Sequence, residues 1–575
     1  MRILFVVTCH NGLSQRLQCE LEQESHIVEI AIFQSADQIE KVVEQCSPDL
    51  IIAPFLKSPL PDTVWRQYLC LIVHPGIIGD RGPSSLDWAI MKEEPVWGVT
   101  VLQADEKMDA GDIWASKEFE RREVSKSNLY RHQVTEAATV AVKHAIANFQ
   151  LKNFKPRPLD YADADVRGQW NNPIKRKDRH FEWSDTSAQI IRKIKAADST
   201  PGLLETRIFD EEYFMYGAHH ESLLKGNPGE IIAKRDGAIC IGTGDGSVWI
   251  SHLKKKRNGI KRKAALLLGD QLDHLPESPL DAFDAYNNQE TFREIWVEQN
   301  QEVCFINFDF YNGAMSSHQC NRLRKVFMQA SQMDCSVIVL KGGADLWSNG
   351  IDLNEIECAD NPADESWDNI VAIDDLTREI INCESKLVIS AMSGNAGAGG
   401  AILALAADFV FARAGIVLNP HYKNMGLYGS EYWTYLLPKR VGGKKAKEIM
   451  NDCVTLVAEQ AKEIGFVEEC LAGEVDDFSK QIGEKALALA RHSGYKNMIA
   501  QKRTKRLKDE TEKSLDRYRN EELSEMQKIF YDPESAYHLQ RHFFVHKIGQ
   551  KDQQENEWEI NNFKGQKRVR EPQHV

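Results

Sequence analysis

His74 and Pro75 close an apolar run, "CLIVHP" (70–75), and a Gly/Arg loop, "GIIGDRG" (76–82), follows. About 35 residues later "MDAGDI" supplies Asp109 and Asp112. A histidine and a carboxylate on neighbouring loop ends can steady a tetrahedral intermediate and shuttle its proton. On spacing alone they can equally be surface loop residues. Ile72 stands out, because an acyl-transfer site would be expected to put a hydrogen-bonding side chain beside the histidine, and this strand puts alkyl carbon there. Farther on, "SGNAGAGG" (393–400) follows the apolar run "KLVISAM" (386–392), and its glycines would let backbone come close to a ligand. "GTGDG" (242–246) reads as turn glycine, since no helical pattern follows it. Twelve cysteines contain no C-x-x-C, so neither a zinc ribbon nor a dithiol motif is visible, and reduced, buried thiols are expected.

Short β-branched runs must carry the first group of residues: "RILFVVT" (2–8), "HIVEIAIF" (26–33), "DLIIAPF" (49–55), "CLIVHP" and "VWGVTVLQA" (96–104), each followed by polar or helical sequence. That alternation predicts a doubly wound α/β domain with its active loops at strand C-termini. The amphipathic stretch 127–149 is expected to close the domain as a helix. "FKPRPLDYADA" (154–164) reads as a connection. Residues 169–256 change texture, with a short helix and then small strands between turns, as in an OB-like β-barrel. From about 300 the α/β pattern returns, and 500–548 is helical and charged.

A chain of 575 residues implies two to four domains. The formal charge of −14 argues against a general nucleic-acid binder, and the basic clusters at 175–179 and 254–263 read as solvated loops. Apolar runs are of strand length, far short of a membrane span. "MRILFVVTCHNG" reads as a first buried strand, and a cytoplasmic protein without membrane or nucleic-acid partners is expected.

The stretch "HPGIIGDRGPSSLDWAIMKEEPVWGVTVLQADEKMDAGDIWA" (74–115) resembles the folate-dependent formyltransferases, whose pattern runs N-x-H-P, R-G, T-G-V-T and D-x-G-D/P-I. The resemblance covers about 1–150, and the small barrel resembles the C-terminal domain of the tRNA and sugar enzymes. It implies an N10-formyl-tetrahydrofolate site in which His74 and Asp109 act in catalysis and Arg81 and Gly82 keep the binding loop. The family's oxyanion-stabilising asparagine falls on Ile72. Loss of one such donor typically costs about 10²–10³ in rate, so a neighbour such as His10, Asn11 or Ser14 is a candidate to supply it.

"KLVISAMSGNAGAGGAILALAADFVFARAG" (386–415), with "WSNGIDLNE" (347–355) upstream, resembles the enoyl-CoA hydratase/isomerase (crotonase) superfamily over about 300–490. The resemblance implies a coenzyme A thioester held by an oxyanion hole of two backbone N–H groups, from Ile351 after Gly350 and from Gly399, with Gly400 opening a helix. The family's two hydratase carboxylates fall on Ile402 and on His421 or Tyr422, so ordinary hydration is not expected; Tyr422 and Glu431 are the candidate proton-handling groups.

The pairing of the two resembles the HoxX-type maturation factors of nickel–iron hydrogenases over essentially the full length. That implies N10-formyl-tetrahydrofolate and coenzyme A as substrates, hydrogenase maturation proteins as partners, and carbon monoxide as product. The expected organisation is 1–155 folate domain, 165–265 small barrel, 266–298 linker, 299–550 crotonase-like domain and 551–575 polar tail. An amine formyltransferase that uses its crotonase half only to bind coenzyme A, and a non-catalytic scaffold, are the alternatives.

Overall fold

The computed structural model describes residues 1–199, 203–257, 259–284 and 290–548, so the polar tail expected at 551–575 lies outside the described residues. The first unit is a six-stranded sheet of β1 (Arg2–Val7), β2 (Ile27–Ile32), β3 (Leu50–Ala53), β4 (Cys70–His74), β5 (Val96–Gln103) and β6 (Ile113–Glu120), ordered β2-β1-β3-β4-β5-β6. The first four strands are parallel, and β5 and β6 run antiparallel to their neighbours. Both faces of β1 are buried, as a central parallel strand requires. Ile3, Phe5 and Val7 join one core with Leu13, Leu17 and the helix Thr135–Gln150, while Leu4 and Val6 join a second with Ile39 and Val43.

The stretch expected as one closing helix is interrupted. A π-helical turn, Tyr130–Val134, separates a short helix, Lys126–Leu129, from Thr135–Gln150. Such turns cost regular hydrogen bonding and often mark functional positions.

The second unit is an antiparallel ladder of β7 (Glu205–Ile208), β8 (Glu211–Glu221), β9 (Ile231–Arg235), β10 (Ala238–Gly242), β11 (Ser247–Lys255) and β12 (Arg262–Lys263). Its path is β7-β8-β11-β10-β9 with β12 on β11. Among the described residues no pairing joins β7 to β9, so the expected barrel appears as an open ladder over the helix Ser187–Ala196. Among the described residues of 266–298, Leu268, Leu272, Phe292 and Glu294 are buried, and Lys263 Nζ lies 3.1 Å from Glu294 Oε1.

The third unit stacks two sheets. The larger runs through β13 (Ile295–Asn300), β14 (Val303–Phe308), β15 (Val337–Lys341), β17 (Leu387–Met392), β19 (Phe409–Arg413) and β22 (Glu469–Leu471). The smaller holds β16 (Leu346–Ser348), β18 (Asn395–Gly397), β20 (Val417–Asn419) and β21 (Leu456–Val457).

The first and third units meet along the helix Gly12–Gln23. Glu136 accepts from Arg16 and from Arg413, each at 2.9 Å, and so bridges the two. Gly415, at φ +76°, packs where any Cβ would strike the Arg16 guanidinium. Arg131 adds hydrogen bonds of 3.0 Å to both Asp345 and Asn312. Cys19 packs with Val417 and Val457.

Candidate active site

His74 ends β4, buried between two carboxylates. Its Nε2 lies 2.8 Å from Asp80 Oδ2, and its Nδ1 lies 3.6 Å from Asp109 Oδ2. Burial alone would lower the imidazole pKa. The hydrogen bond to Asp80 and the charges of Asp109 and Asp80 outweigh burial and raise it, so His74 holds its proton more firmly than a free histidine. The turn after His74 is pinned through Pro75, whose carbonyl accepts from Ser85 Oγ at 2.6 Å and from Trp97 Nε1 at 2.9 Å.

Asp109 sits at φ +53°, a left-handed backbone that costs a non-glycine residue about 1 kcal/mol or more. It is held there by its neighbours. The Gly82 N–H donates to Asp109 Oδ2 at 3.1 Å, and Arg81 Nε donates to the Met108 carbonyl at 2.9 Å. Gly82 has φ +116°, and a Cβ there would strike the Asn171 carbonyl. Arg81 lies 5.4 Å over the Trp170 ring, so it fastens the loop. Asp80 stands in "GDRG" (79–82) beside Arg81 and Gly82, and nothing in the sequence distinguishes it from a solvated loop aspartate. Its buried carboxylate takes a 2.9 Å hydrogen bond from the Asn171 amide.

One cavity of about 1270 Å³ opens in front of these residues. Ile72, His74, Gly82 and Asp109 line it at one end, and Asn349, Asn395, Gly397, Asn419 and His421 of the third unit line it at the other. Tyr130 and Arg131, on the π-helical turn, stand between. Of the three candidates to replace the amide missing at Ile72, Asn11 reaches the wall, its Nδ2 donating to Tyr130 Oη at 3.3 Å. Ser14 is fully buried and bonded to His10 Nδ1 at 3.0 Å; neither is among the lining residues. Arg81 and Asp112 are likewise outside the lining.

The second constellation reaches the far wall through His421, whereas Ile351, Gly399, Tyr422 and Glu431 are not among the lining residues. The Gly350 N–H donates to Ser348 Oγ at 3.0 Å, and its carbonyl accepts from the Met315 N–H at 2.9 Å, which fixes the backbone just before Ile351. Neither the Ile351 nor the Gly399 N–H has an acceptor among the described residues. The two strands meet here, since a Cβ on Gly350 would lie 3.1 Å from the Gly399 nitrogen. Ala398, at φ +43° and ψ −128°, carries the strain that turns the chain into the helix Gly399–Leu403. Gly400 backs onto the Ser348 carbonyl with no room for a side chain.

Glu431 packs its carboxylate where a Cβ on Gly399 would fall, and it accepts a 2.6 Å hydrogen bond from Tyr422 Oη. Glu431 is 1% and Tyr422 3% exposed. Burial, reinforced by the charge of Asp374, pushes the Glu431 pKa up to about 8, against the Tyr422 and Ser430 hydrogen bonds. Asp374 accepts from Ser430 Oγ at 2.6 Å and from the Glu431 N–H at 2.8 Å. Both Glu431 and Tyr432 hold left-handed backbone. Ile402, where a hydratase carboxylate would fall, is fully buried among apolar neighbours. His421 donates from Nδ1 to the Asn419 carbonyl at 2.8 Å, and burial lowers its pKa, which leaves a neutral ring with Nε2 free to accept.

Arg131 lines the cavity and lies within electrostatic reach of three lysines, Lys254, Lys261 and Lys547. Burial and the charges of Arg131, Lys547 and Lys254 bring Lys261 down to about 7, with Asp198 opposing. Lys547 is lowered by burial and then by Lys254 and Arg131. Like charges gathered at this density favour a multiply charged anion.

Three family models match the chain: Formyl transferase over residues 2–145, Formyl transferase, C-terminal domain over 173–266, and Enoyl-CoA hydratase/isomerase over 298–551. The hydrogenase maturation factor HoxX of Bradyrhizobium diazoefficiens is 41% identical over 551 residues, 95% of each chain. The methionyl-tRNA formyltransferase of Bacillus mycoides is 25% identical over 39% of this chain and 72% of its own. HypX of Aquifex aeolicus, solved in complex with tetrahydrofolic acid, has a TM-score of 0.92 at 43% identity, over 95% of this chain and 96% of that one. A formyltransferase fold joined to a crotonase-like fold, matched along nearly the full length of both relatives, makes this chain a member of the HoxX/HypX family of hydrogenase maturation factors.

Proposed function

We propose that the chain makes carbon monoxide for a hydrogenase iron centre by moving a formyl group from N10-formyl-tetrahydrofolate to coenzyme A and then decarbonylating the thioester. The shared cavity is the observation that carries this reading. At about 1270 Å³ it exceeds the usual 300–1,000 Å³ of a single-ligand pocket, and its walls come from both halves of the chain. The tetrahydrofolate complex of the Aquifex relative supports a folate at the His74 end. The cations around Arg131 suit the phosphates of coenzyme A, whose thiol arm would then run along the cavity.

In the first step the thiol sulfur attacks the formyl carbon, the C–N10 bond breaks, and N10 leaves with a proton. The proton lost by the thiol and the one gained by N10 pass through His74 and Asp109, with Asp80 fixing the His74 ring. Products are formyl-CoA and tetrahydrofolate. Ile72 leaves the oxyanion without the family's amide, and Asn11, the one of the three candidates on the wall, would donate in its place. A thiolate nucleophile needs less help than an amine, which fits a site that has given up one donor.

In the second step the Ile351 and Gly399 N–H groups polarise the formyl-CoA carbonyl. Glu431, in its ionised form and oriented by Tyr422, removes the formyl proton, the C–S bond breaks, and the thiolate is reprotonated. Carbon monoxide and coenzyme A leave, with no change in overall redox state. Purified protein given N10-formyl-tetrahydrofolate should release carbon monoxide in proportion to turnover only when coenzyme A is present. A yield indifferent to coenzyme A would overturn the scheme.

A further inference from the structure

Away from both sites, the helix Ala536–His546 carries His542 and His546 one turn apart, their rings 4.2 Å between centroids. Glu357, from the separate short helix Leu353–Glu357, reaches the same place. A single carboxylate oxygen, Glu357 Oε1, faces both imidazoles, 2.7 Å from His542 Nδ1 and 3.5 Å from His546 Nε2. The ligating atoms of the three residues all lie within 4.8 Å of one another.

We propose that Glu357, His542 and His546 form a site for a divalent metal ion of the zinc type. Two imidazoles and one carboxylate are the donors such an ion prefers, and the i, i+4 spacing puts both rings on one helix face. An ion pair would need one imidazole, whereas here one oxygen confronts two. The other carboxylate oxygen, Oε2, takes a 2.7 Å hydrogen bond from Arg541 Nε. Arg541 is itself seated over the Tyr537 ring at 5.0 Å and bonded to His538, so it orients the carboxylate as outer partners of metal ligands do. An ion bound at about 2.0–2.2 Å from each donor takes the place of the hydrogen between His542 Nδ1 and Glu357, the neutral ring carrying its proton on Nε2 instead, and no redox change accompanies binding. His542 and His546 side chains are 44% and 32% exposed, which gives the ion access and room for a water ligand.

The site has a structural consequence. Glu357 lies six residues beyond Ile351, and the histidine helix packs Tyr537 against Gly426, next to the turn that carries Tyr422. The ion would clamp the last described helix onto both segments of the second site.

The test uses the full chain, stripped with a chelator and titrated with Zn²⁺ by calorimetry, with Co²⁺ as an absorbance reporter. The expected result is one equivalent bound, with the intense visible bands of four-coordinate Co²⁺ and a rise in melting temperature. His542→Ala combined with His546→Ala should abolish the Co²⁺ bands and the Zn²⁺-induced rise, and circular dichroism of the metal-free double variant reports on its fold. His546→Gln, a milder change, should weaken Zn²⁺ at least about tenfold. No binding to the wild-type chain, or equal binding by the double variant, overturns the proposal.

Discussion

Glu431→Gln should separate the two proposed steps. The wild-type carboxyl has its pKa pushed from 4.5 to about 8 by burial and by Asp374. Ionised base is therefore scarce at neutral pH, about 1% at pH 6 and half at pH 8. Decarbonylation of formyl-CoA supplied directly should rise about 50-fold between those pH values and level off above them. The glutamine retains an acceptor for the Tyr422 hydroxyl but not a base, and the rate should fall by about 10²–10⁴ with the pH dependence lost. Asp374→Asn removes the like charge beside Glu431, and the rise should move to lower pH. The assay follows carbon monoxide by trapping on reduced haem, with deuterated formyl-CoA to show whether C–H cleavage limits the rate. Stability supplies an independent reading. A carboxyl raised on folding binds more protons in the folded state, so stability falls as pH rises from about 4.5 to about 8, by up to about 5 kcal/mol. Glu431→Gln should therefore melt increasingly above wild type over that window. A flat pH–rate profile together with an unaffected glutamine variant would refute the assignment.

Asp109→Asn should slow formyl transfer from formyl-tetrahydrofolate by about 10²-fold or more while leaving decarbonylation of added formyl-CoA intact, as measured by the two partial assays. Asp80→Asn removes the 2.8 Å partner of His74, and the pKa seen in the pH profile of formyl transfer should move down. Ile72→Asn restores the family's amide and should raise formylation of a simple amine while carbon monoxide output falls. Glu136→Ala leaves Arg413 without a carboxylate and Arg16 with Glu20 alone, and should cost about 1.5–3 kcal/mol in denaturant unfolding. Arg16 and Arg413 overcome burial to hold Glu136 down to about 2, so its contribution is full above pH 4.5 and is lost as pH falls towards 2.

The sheet of the first unit was legible because β1 and β3 are apolar runs buried on both faces, and His74 falls at a strand end for that reason. The glycine turns were legible as glycine-rich runs, and Gly82 and Gly400 abut the Asn171 and Ser348 carbonyls, where a side chain has no room. Asp80 was not, since an aspartate in a polar loop looks the same whether it is solvated or 1% exposed against a histidine. Nor was the π-helical turn at Tyr130–Val134, because its residues fit an uninterrupted helical pattern and the interruption is set by tertiary contact. The asparagines of the far wall, Asn349, Asn395 and Asn419, come from three separate strands or turns, and their convergence is a property of the smaller sheet.

The Arg16–Glu136–Arg413 bridge bears on how cargo moves. A hinge between the halves would have to open this triad, and Arg131 would have to release Asp345 and Asn312 as well. With the walls locked, the proposed scheme requires the flexible thiol arm to travel, swinging like a crane jib inside a fixed housing. Turnover should then leave the scattering radius of the protein unchanged, and lengthening or shortening the arm of a coenzyme A analogue by a few atoms should uncouple the two steps rather than slow both alike.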